Sequence, residues 1–412
     1  MNTNTDESMV PQYELPELLR FQDGSPVNTA GAWAQRRREL LELSSGHIYG
    51  STPGEPVTRE VEQVDDSPVL GGLARRIQTR LTLRRNRHEI ALNLLIYLPE
   101  TAATATGGCP VFVGLNFGGN QTVETDPGIR LSTSYTIGTP DGVVTEASRG
   151  KAAGRWPVRQ IVSRGYAVAT LHCGDVDPDV DRGFSTGPHR MFYAQGQQAP
   201  GDAEWGTIGA WAWGLSRVLD HLEEVPGIDH TRAIAIGHSR LGKAALWAGA
   251  QDERFAGVIS NDSGCGGAAL YRRCFGERIE DITTSFPHWF CKAHRRYSGD
   301  EAALPVDQHM LLALIAPRML HVASATEDLW ADPLGEYLGA RHATQAYRLL
   351  GSDGLPDAEP HGMMTNGLPA AVAAIGNVLR YHRRVGPHDI TLEDWNAYID
   401  HADWYFSRRR IG

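Results

Sequence analysis

The heptapeptide Gly237-His238-Ser239-Arg240-Leu241-Gly242-Lys243 follows the buried-strand pattern RAIAIGH and precedes the helical pattern KAALWAGAQ. A serine at so sharp a strand-to-helix turn has its hydroxyl lifted above the carboxyl end of a sheet, and the backbone N–H groups after it face an incoming carbonyl oxygen. Ser239 is therefore the candidate nucleophile. The pattern departs from G-x-S-x-G, because Leu241 stands two places after the serine and the glycine falls one place later, at Gly242. A lone Gly-x-Ser at a strand end is commonplace in α/β proteins, so the reading rests on the strand context and on an acid and a histidine further along the chain.

In this type of site the order is serine, then acid, then histidine. His388, in VGPHDIT just beyond the last predicted strand, sits where the general base belongs. His238 adjoins the serine and is expected to point the other way; His309 in a helix and His382 in a strand are expected to be structural. For the acid, Asp328 in ATEDLWADP ranks first, because the next-to-last strand is the usual home of the carboxylate that orients the histidine. Asp262 after FAGVISN is second, then Glu327. Two carboxylates near one histidine could share the orienting role, or one could bind substrate. Such a set performs acyl transfer through an ester on the serine and needs no cofactor and no metal. Asp175, Asp177, Asp179 and Asp181 alternate in CGDVDPDVDRG but lack the glycine and terminal glutamate of a calcium loop, and are read as a solvated loop near the site. Gly118, Gly119 and Asn120 in NFGGN come after a central strand and could add a backbone N–H for the oxyanion.

The elements that must position these groups read as an α/β-hydrolase fold, a mostly parallel central sheet in a three-layer sandwich. Short apolar strands (CPVFVGLNF, YAVATLHCG, RAIAIGH, FAGVISND, RMLHVASA) alternate with helical stretches, and a further strand around NVLRYHRRVG precedes His388. Two opening strands between Leu70 and Pro99, turning near Arg85-Asn86, are expected to be antiparallel. Residues 1–70, with the amphipathic stretch AGAWAQRRRELLEL, read as an N-terminal arm packed on a catalytic domain of residues 71–412.

A chain of 412 residues with 41% hydrophobic residues can bury a large core, and a formal charge of −10 without a basic block gives no footprint for nucleic acid. Its lysines are only three, Lys151, Lys243 and Lys292; its five cysteines are widely spread and read as mostly buried thiols. No apolar run is long enough for a membrane span. The polar start is not a secretory signal, so the protein reads as soluble, and as secreted or periplasmic if a signal has been removed, otherwise cytoplasmic. Oligomeric state is not encoded in any motif.

With GHSRLGKAAL, SNDSGCGGA, FPHWF, LPVDQHMLLALIAPR, ATEDLWADP and GPHDIT in that order, the chain resembles the glucuronoyl esterase family, the 4-O-methyl-glucuronoyl methylesterases, over roughly Val111 to Trp395. Bacterial members are the nearer match, since fungal members have a cysteine, and with it a disulfide, where this chain has His238. The resemblance implies Ser239 as nucleophile, His388 as base, Arg240 as an oxyanion-stabilising side chain and Lys243 as a ligand of sugar hydroxyls. It places the acid after either of two strands, and this sequence carries Asp262 and Asp328 there. Trp330 matches a sugar-contacting tryptophan, and Glu277 and Arg278 stand in for the polar sugar contacts of fungal members, with Phe286 close to one of those places. Cations at a helix start are opposed by the macrodipole, so Arg240 and Lys243 there favour a functional role. The implied substrate is an ester on the carboxyl group of glucuronic acid, a methyl glucuronate or a lignin-carbohydrate linkage on a glucuronoxylan-like polysaccharide. An acetyl-xylan or general carboxylesterase, and a catalytically inactive glycan-binding hydrolase fold, are the alternatives.

Overall fold

The computed structural model of the chain describes residues 3–103, 107–358, 360, 363–365 and 368–409. The chain enters its sheet through β1 (Thr58–Val69), β2 (Ala74–Arg85) and β3 (His88–Pro99), which pair antiparallel in succession. The turn between β2 and β3 lies at Asn86, whose φ of 58° is one that asparagine tolerates. Parallel strands come next: β4 (Cys109–Asn116), β5 (Ala167–His172), β6 (Ile228–His238), β7 (Gly257–Asn261) and β8 (Met319–Ala325). A short ribbon, β9 (Met364–Thr365) with β10 (Leu368–Pro369), stands apart; β11 (Val372–Gly376) and β12 (Leu379–Arg384) complete the main sheet. The strand order is β1-β2-β3-β5-β4-β6-β7-β8-β12-β11.

The fully apolar strands foreseen in the sequence are the central ones. Every residue of β4, β5, β7 and β8 is buried, as strands covered on both faces must be. Alternation within β4 divides the core: Val111 and Val113 join the larger cluster, with Trp211, Leu246 and Tyr347 of the helices Thr207–Leu222, Arg240–Gln251 and Pro333–Leu349. Phe112 faces the other cluster, formed with the helices Val158–Ser163 and Leu392–Arg409.

The sheet begins at Thr58, so the segment expected to be an arm up to residue 70 supplies an edge strand from there on. TREVEQVDDSPV is polar because it is an edge with little of it buried, and its pairing with β2 is carried by the backbone. The preceding helix Ala30–Ser44 is tied to the body by Arg37, which donates to the carbonyl oxygens of Ala250 and Leu314. His309, expected to be structural, contacts the carbonyl oxygen of Pro16 at 3.1 Å.

Neither the helix Leu392–Arg409 nor β11 is foreseen in the sequence. That helix inserts Trp395, Tyr398, Ile399 and Ala402 into the core, with the Trp395 indole edge-on to Phe112 at 5.4 Å and donating to the carbonyl oxygen of Arg155 at 2.8 Å. Since the helix starts four residues after His388, its anchorage also fixes the base. Trp395→Ala should destabilise the protein by about 3–5 kcal/mol, seen as a lower denaturant midpoint; an unchanged midpoint would contradict this anchoring role.

Candidate active site

Ser239 lies between β6 and the helix Arg240–Gln251, with φ 58° and ψ −131°. The turn is closed from both sides by glycine. A methyl group at Gly237 would sit 2.0 Å from the carbonyl oxygen of Leu241, and one at Gly242 3.0 Å from that of Gly237. This accounts for the displaced glycine of the motif: the close approach occurs at the third residue after the serine, where the helix's first turn comes back over the strand end. Ser239 N donates to the Asn261 carbonyl oxygen at 2.9 Å, which ties the elbow to β7.

His388 and Asp328 are brought together by loops that extend the β8–β12 pairing beyond the strands. Thr326 N donates to the Arg384 carbonyl oxygen and Glu327 N to that of Gly386. His388 Nδ1 then meets Asp328 Oδ2 at 2.5 Å, leaving Nε2 for proton chemistry. Glu327 takes part through its backbone and its side chain is exposed, whereas the side chain bonded to His388 is that of Asp328. His238 ends β6. Its ring lies 4.5 Å from that of His388 and its Nδ1 meets Asn261 Oδ1 at 2.7 Å, so it is a buried prop under the base. Burial, then the neighbouring His388 and Arg155, keep its pKa well below the ordinary imidazole value, so the prop is neutral.

Asp262 is also in place. Single ligand atoms of Asp262, Asp328 and His388 lie within 4.8 Å of one another. Both Asp262 oxygens are buried without a hydrogen-bond partner, and the nearest cation is Arg384 at 3.6 Å. Burial raises its pKa well above the carboxylate range, and the negative charges of Glu336 and Asp328 add to the rise. The two acids thus divide: one bonds the imidazole, the other lies beside it with its protonated form favoured by burial. Glu336, unforeseen in the sequence, accepts from Ser263 N at 2.8 Å and Gly264 N at 3.0 Å, and so fixes the loop beyond Asp262.

Arg240 Nη1 bonds Asp179 Oδ2 at 2.5 Å, and the guanidinium lies over the rings of Phe286 and Trp289 at 5.0 and 4.5 Å. Its Nε is buried without a partner among the described residues, a donor next to the nucleophile with no acceptor. Asp179 also receives the Trp289 indole N–H at 2.8 Å and contacts His288 Nε2 at 3.0 Å. Burial alone would raise its pKa, but the bonds from His288, Trp289 and Arg240, with the arginine's charge, bring it below the ordinary value. Three of the four alternating aspartates are therefore not solvated, and only Asp181 is exposed: Asp175, Asp177 and Asp179 are buried, Asp177 accepting from Thr207 and Asp175 from Asn93 and Ser134. They are short side chains that satisfy donors inside the protein.

Lys243 is buried; its Nζ donates to the Ser263 carbonyl oxygen at 2.6 Å and lies 3.7 Å from Glu277 Oε2. The Glu277 pKa is raised by burial, opposed by Lys243 and by a hydrogen bond from Trp330. Trp330 is 48% exposed, so its indole face is open to a ligand. Arg278 is not gathered here: it pairs with Glu301 at 2.7 Å and borders a different groove beside Tyr13. Asn120 is buried and braces its own loop, its side chain joining Asn116 and the Asn93 carbonyl oxygen; Gln121 bonds the Gly118 carbonyl oxygen. A cavity of about 780 Å³ lies behind the loop, lined by Phe117, Trp156, His238, Asp389, Ile390 and Trp395 among others but by neither Ser239 nor His388. The five cysteines are free thiols, and no helix among the described residues is long and apolar enough to cross a membrane.

Residues 158–351 match the family model described as glucuronyl esterase, fungi. A carbohydrate esterase designated MZ0003, from an unknown prokaryotic organism, is 44% identical over 98% of this chain and 92% of its own length. Two solved structures superpose closely: one described as a promiscuous CE15 esterase from a marine bacterial metagenome (TM-score 0.89, 44% identity, covering 98% of this chain and 100% of the other) and a glucuronoyl esterase from Solibacter usitatus (TM-score 0.88, 41% identity, 97% and 100%).

Asp328→Asn should slow labelling of Ser239 by a fluorophosphonate by about 10³–10⁴-fold, as loss of the orienting acid does in serine hydrolases, whereas Asp262→Asn should label at close to the wild-type rate. The reverse order would make Asp262 the orienting acid. A group with a raised folded-state pKa gives stability that is full at low pH and is lost as pH rises. Asp262→Asn should therefore become more stable relative to wild type as pH rises above about 4, measured as the difference in thermal midpoint.

Proposed function

Because the chain belongs to the glucuronoyl esterase family, carbohydrate esterase family 15, we propose that it hydrolyses esters on the carboxyl group of glucuronic acid, with Ser239, His388 and Asp328 as its triad. The observation that carries the assignment of residues is the joint placement of the strained Ser239, the His388–Asp328 pair and the unpartnered Nε–H of Arg240 at one end of the sheet.

Ser239 Oγ attacks the ester carbon while His388 Nε2 removes its proton. The developing oxyanion is met by the Arg240 backbone N–H and by its guanidinium, which Asp179 and the two aromatic rings hold rigid. His388 passes the proton to the departing alcohol, leaving a glucuronoyl ester on Ser239, and water activated by the same nitrogen releases the acid. Lys243, Glu277 and Trp330 form the sugar side: a paired cation and carboxyl group to exchange hydrogen bonds with hydroxyls and a flat indole for the ring face.

A broader carboxylesterase activity is the second reading, favoured by the description of one close structural neighbour as promiscuous. Both readings predict that Ser239→Ala folds normally and loses about 10⁶-fold in kcat, as in other serine hydrolases. They separate at Lys243→Ala, which should weaken hydrolysis of benzyl glucuronate about tenfold or more through lost sugar hydrogen bonds and spare p-nitrophenyl acetate. Equal loss on both esters would remove Lys243 from sugar recognition, and turnover of the acetate alone by wild type would discard the glucuronate.

A further inference from the structure

Behind the loop that carries His388, under the C-terminal helix, three buried histidines form a hydrogen-bonded row. His401 Nε2 meets the Asn377 carbonyl oxygen at 2.7 Å and His401 Nδ1 meets His321 Nδ1 at 3.2 Å. His321 Nε2 meets His382 Nδ1 at 2.8 Å, and His382 Nε2 meets Asp394 Oδ1 at 2.9 Å. Both ends of the row are therefore acceptors, a carbonyl oxygen and a carboxylate. These four contacts require four protons, and three neutral imidazoles carry only three. With neutral rings alone, two nitrogen lone pairs would face each other inside the core. We infer that the row holds the fourth proton, that it resides on His382 as an imidazolium against Asp394, and that this charge positions the loop bearing His388.

The surroundings support that placement. Asp394 Oδ2 accepts from Arg384 Nε at 2.8 Å, Thr391 N at 2.7 Å and Thr391 Oγ1 at 2.8 Å, donors that favour the carboxylate over the acid. Burial, with His382 and His401 adjacent, drives the His321 pKa far below the ordinary value; burial and Arg380 do the same to His401. The other groups facing the row are the Tyr398 ring, 5.0 Å from His321 and 5.7 Å from His382, and Asp262 across Arg384. Burial raises the pKa of the Tyr398 phenol and of the Asp262 carboxyl group, which favours their protonated forms. Asp394 thus stands between two buried partners, the Arg384 guanidinium at 2.8 Å and the His382 ring at 2.9 Å.

The link to the base is short. Arg384 Nη2 donates to the carbonyl oxygens of Pro387 at 2.8 Å and Asp389 at 2.5 Å, the residues on either side of His388. Asp394 orients Arg384 from one side and binds Thr391 at the end of the same loop. Loss of the proton from His382 leaves Asp394 a buried anion short of one donor, and the Arg384 clasp on the loop shifts with it. His382 is thus a positioning residue, acting on His388 through Asp394 and Arg384.

Nitrogen NMR of wild-type protein labelled with ¹⁵N-histidine, at about pH 7.5, should show one slowly exchanging ring with both nitrogens protonated, absent from the spectrum of His382→Gln. Three neutral rings at that pH would overturn the inference. In kinetics, His382→Gln should lower kcat on a glucuronate ester by about ten- to a hundredfold, the scale of a misplaced catalytic group, with KM nearly unchanged. It should also lose the alkaline fall in kcat expected of wild type, whereas a profile parallel to that of wild type would refute the positioning role. If His382→Gln does not fold, the wild-type titration decides: the imidazolium must disappear over the pH range in which kcat falls, and a mismatch refutes the coupling. The kinetic outcomes rest on His388 being the base of the proposed esterase, whereas the nitrogen spectrum does not, so the two can fail separately.

Discussion

Where β6 gives way to its helix, the backbone doubles back so closely that a methyl group at Gly237 would lie 2.0 Å from the Leu241 carbonyl oxygen. That approach forces Ser239 into a conformation with positive φ and sets the direction of its hydroxyl. Such strain persists only if the neighbours over-determine it. Here the bond from Ser239 N to Asn261 ties the turn to β7, Glu336 fixes the loop after β7, and the His238 ring couples the turn to His388. The turn is thus held by groups that come from loops distant in sequence.

Around the turn the protein buries more charge than a core tolerates without pairing. Each burial is answered differently. Asp179 collects three donors and fixes Arg240, while Asp262 has none and its pKa is raised by burial. Lys243 is neutralised by a carbonyl oxygen and Glu277 together. This division holds the Arg240 guanidinium next to Ser239 and sets the Asp328 carboxyl group against His388.

The chemistry-bearing motif and the central strands are legible in the sequence because their signals are local: an apolar run, a glycine, a serine and a helix in close succession. The candidate set Ser239, His388, Asp328, Asp262, Arg240, Lys243, Glu277 and Trp330 does assemble in one region, while Arg278 turns away to Glu301. The remainder is written in long-range contacts. Asp179 reads as one of several polar loop residues until His288 and Trp289, distant in the chain, arrive to meet it. Strand alternation directs His238 away from the nucleophile but says nothing about the ring of a loop folded over it. β1 is hidden by the polarity that suits an edge strand, and the helix Leu392–Arg409 by a dense mixture of charged and aromatic residues whose buried stripe emerges only against Phe112 and Trp156.

The two carboxyl groups beside His388 come from successive strands. Asp262 follows β7 and Asp328 comes after β8, and one ligand atom of each lies within 4.8 Å of the other and of His388. Only Asp328 is bonded to the ring, so the second carboxyl group stands beside the imidazole without competing for its Nδ1 proton.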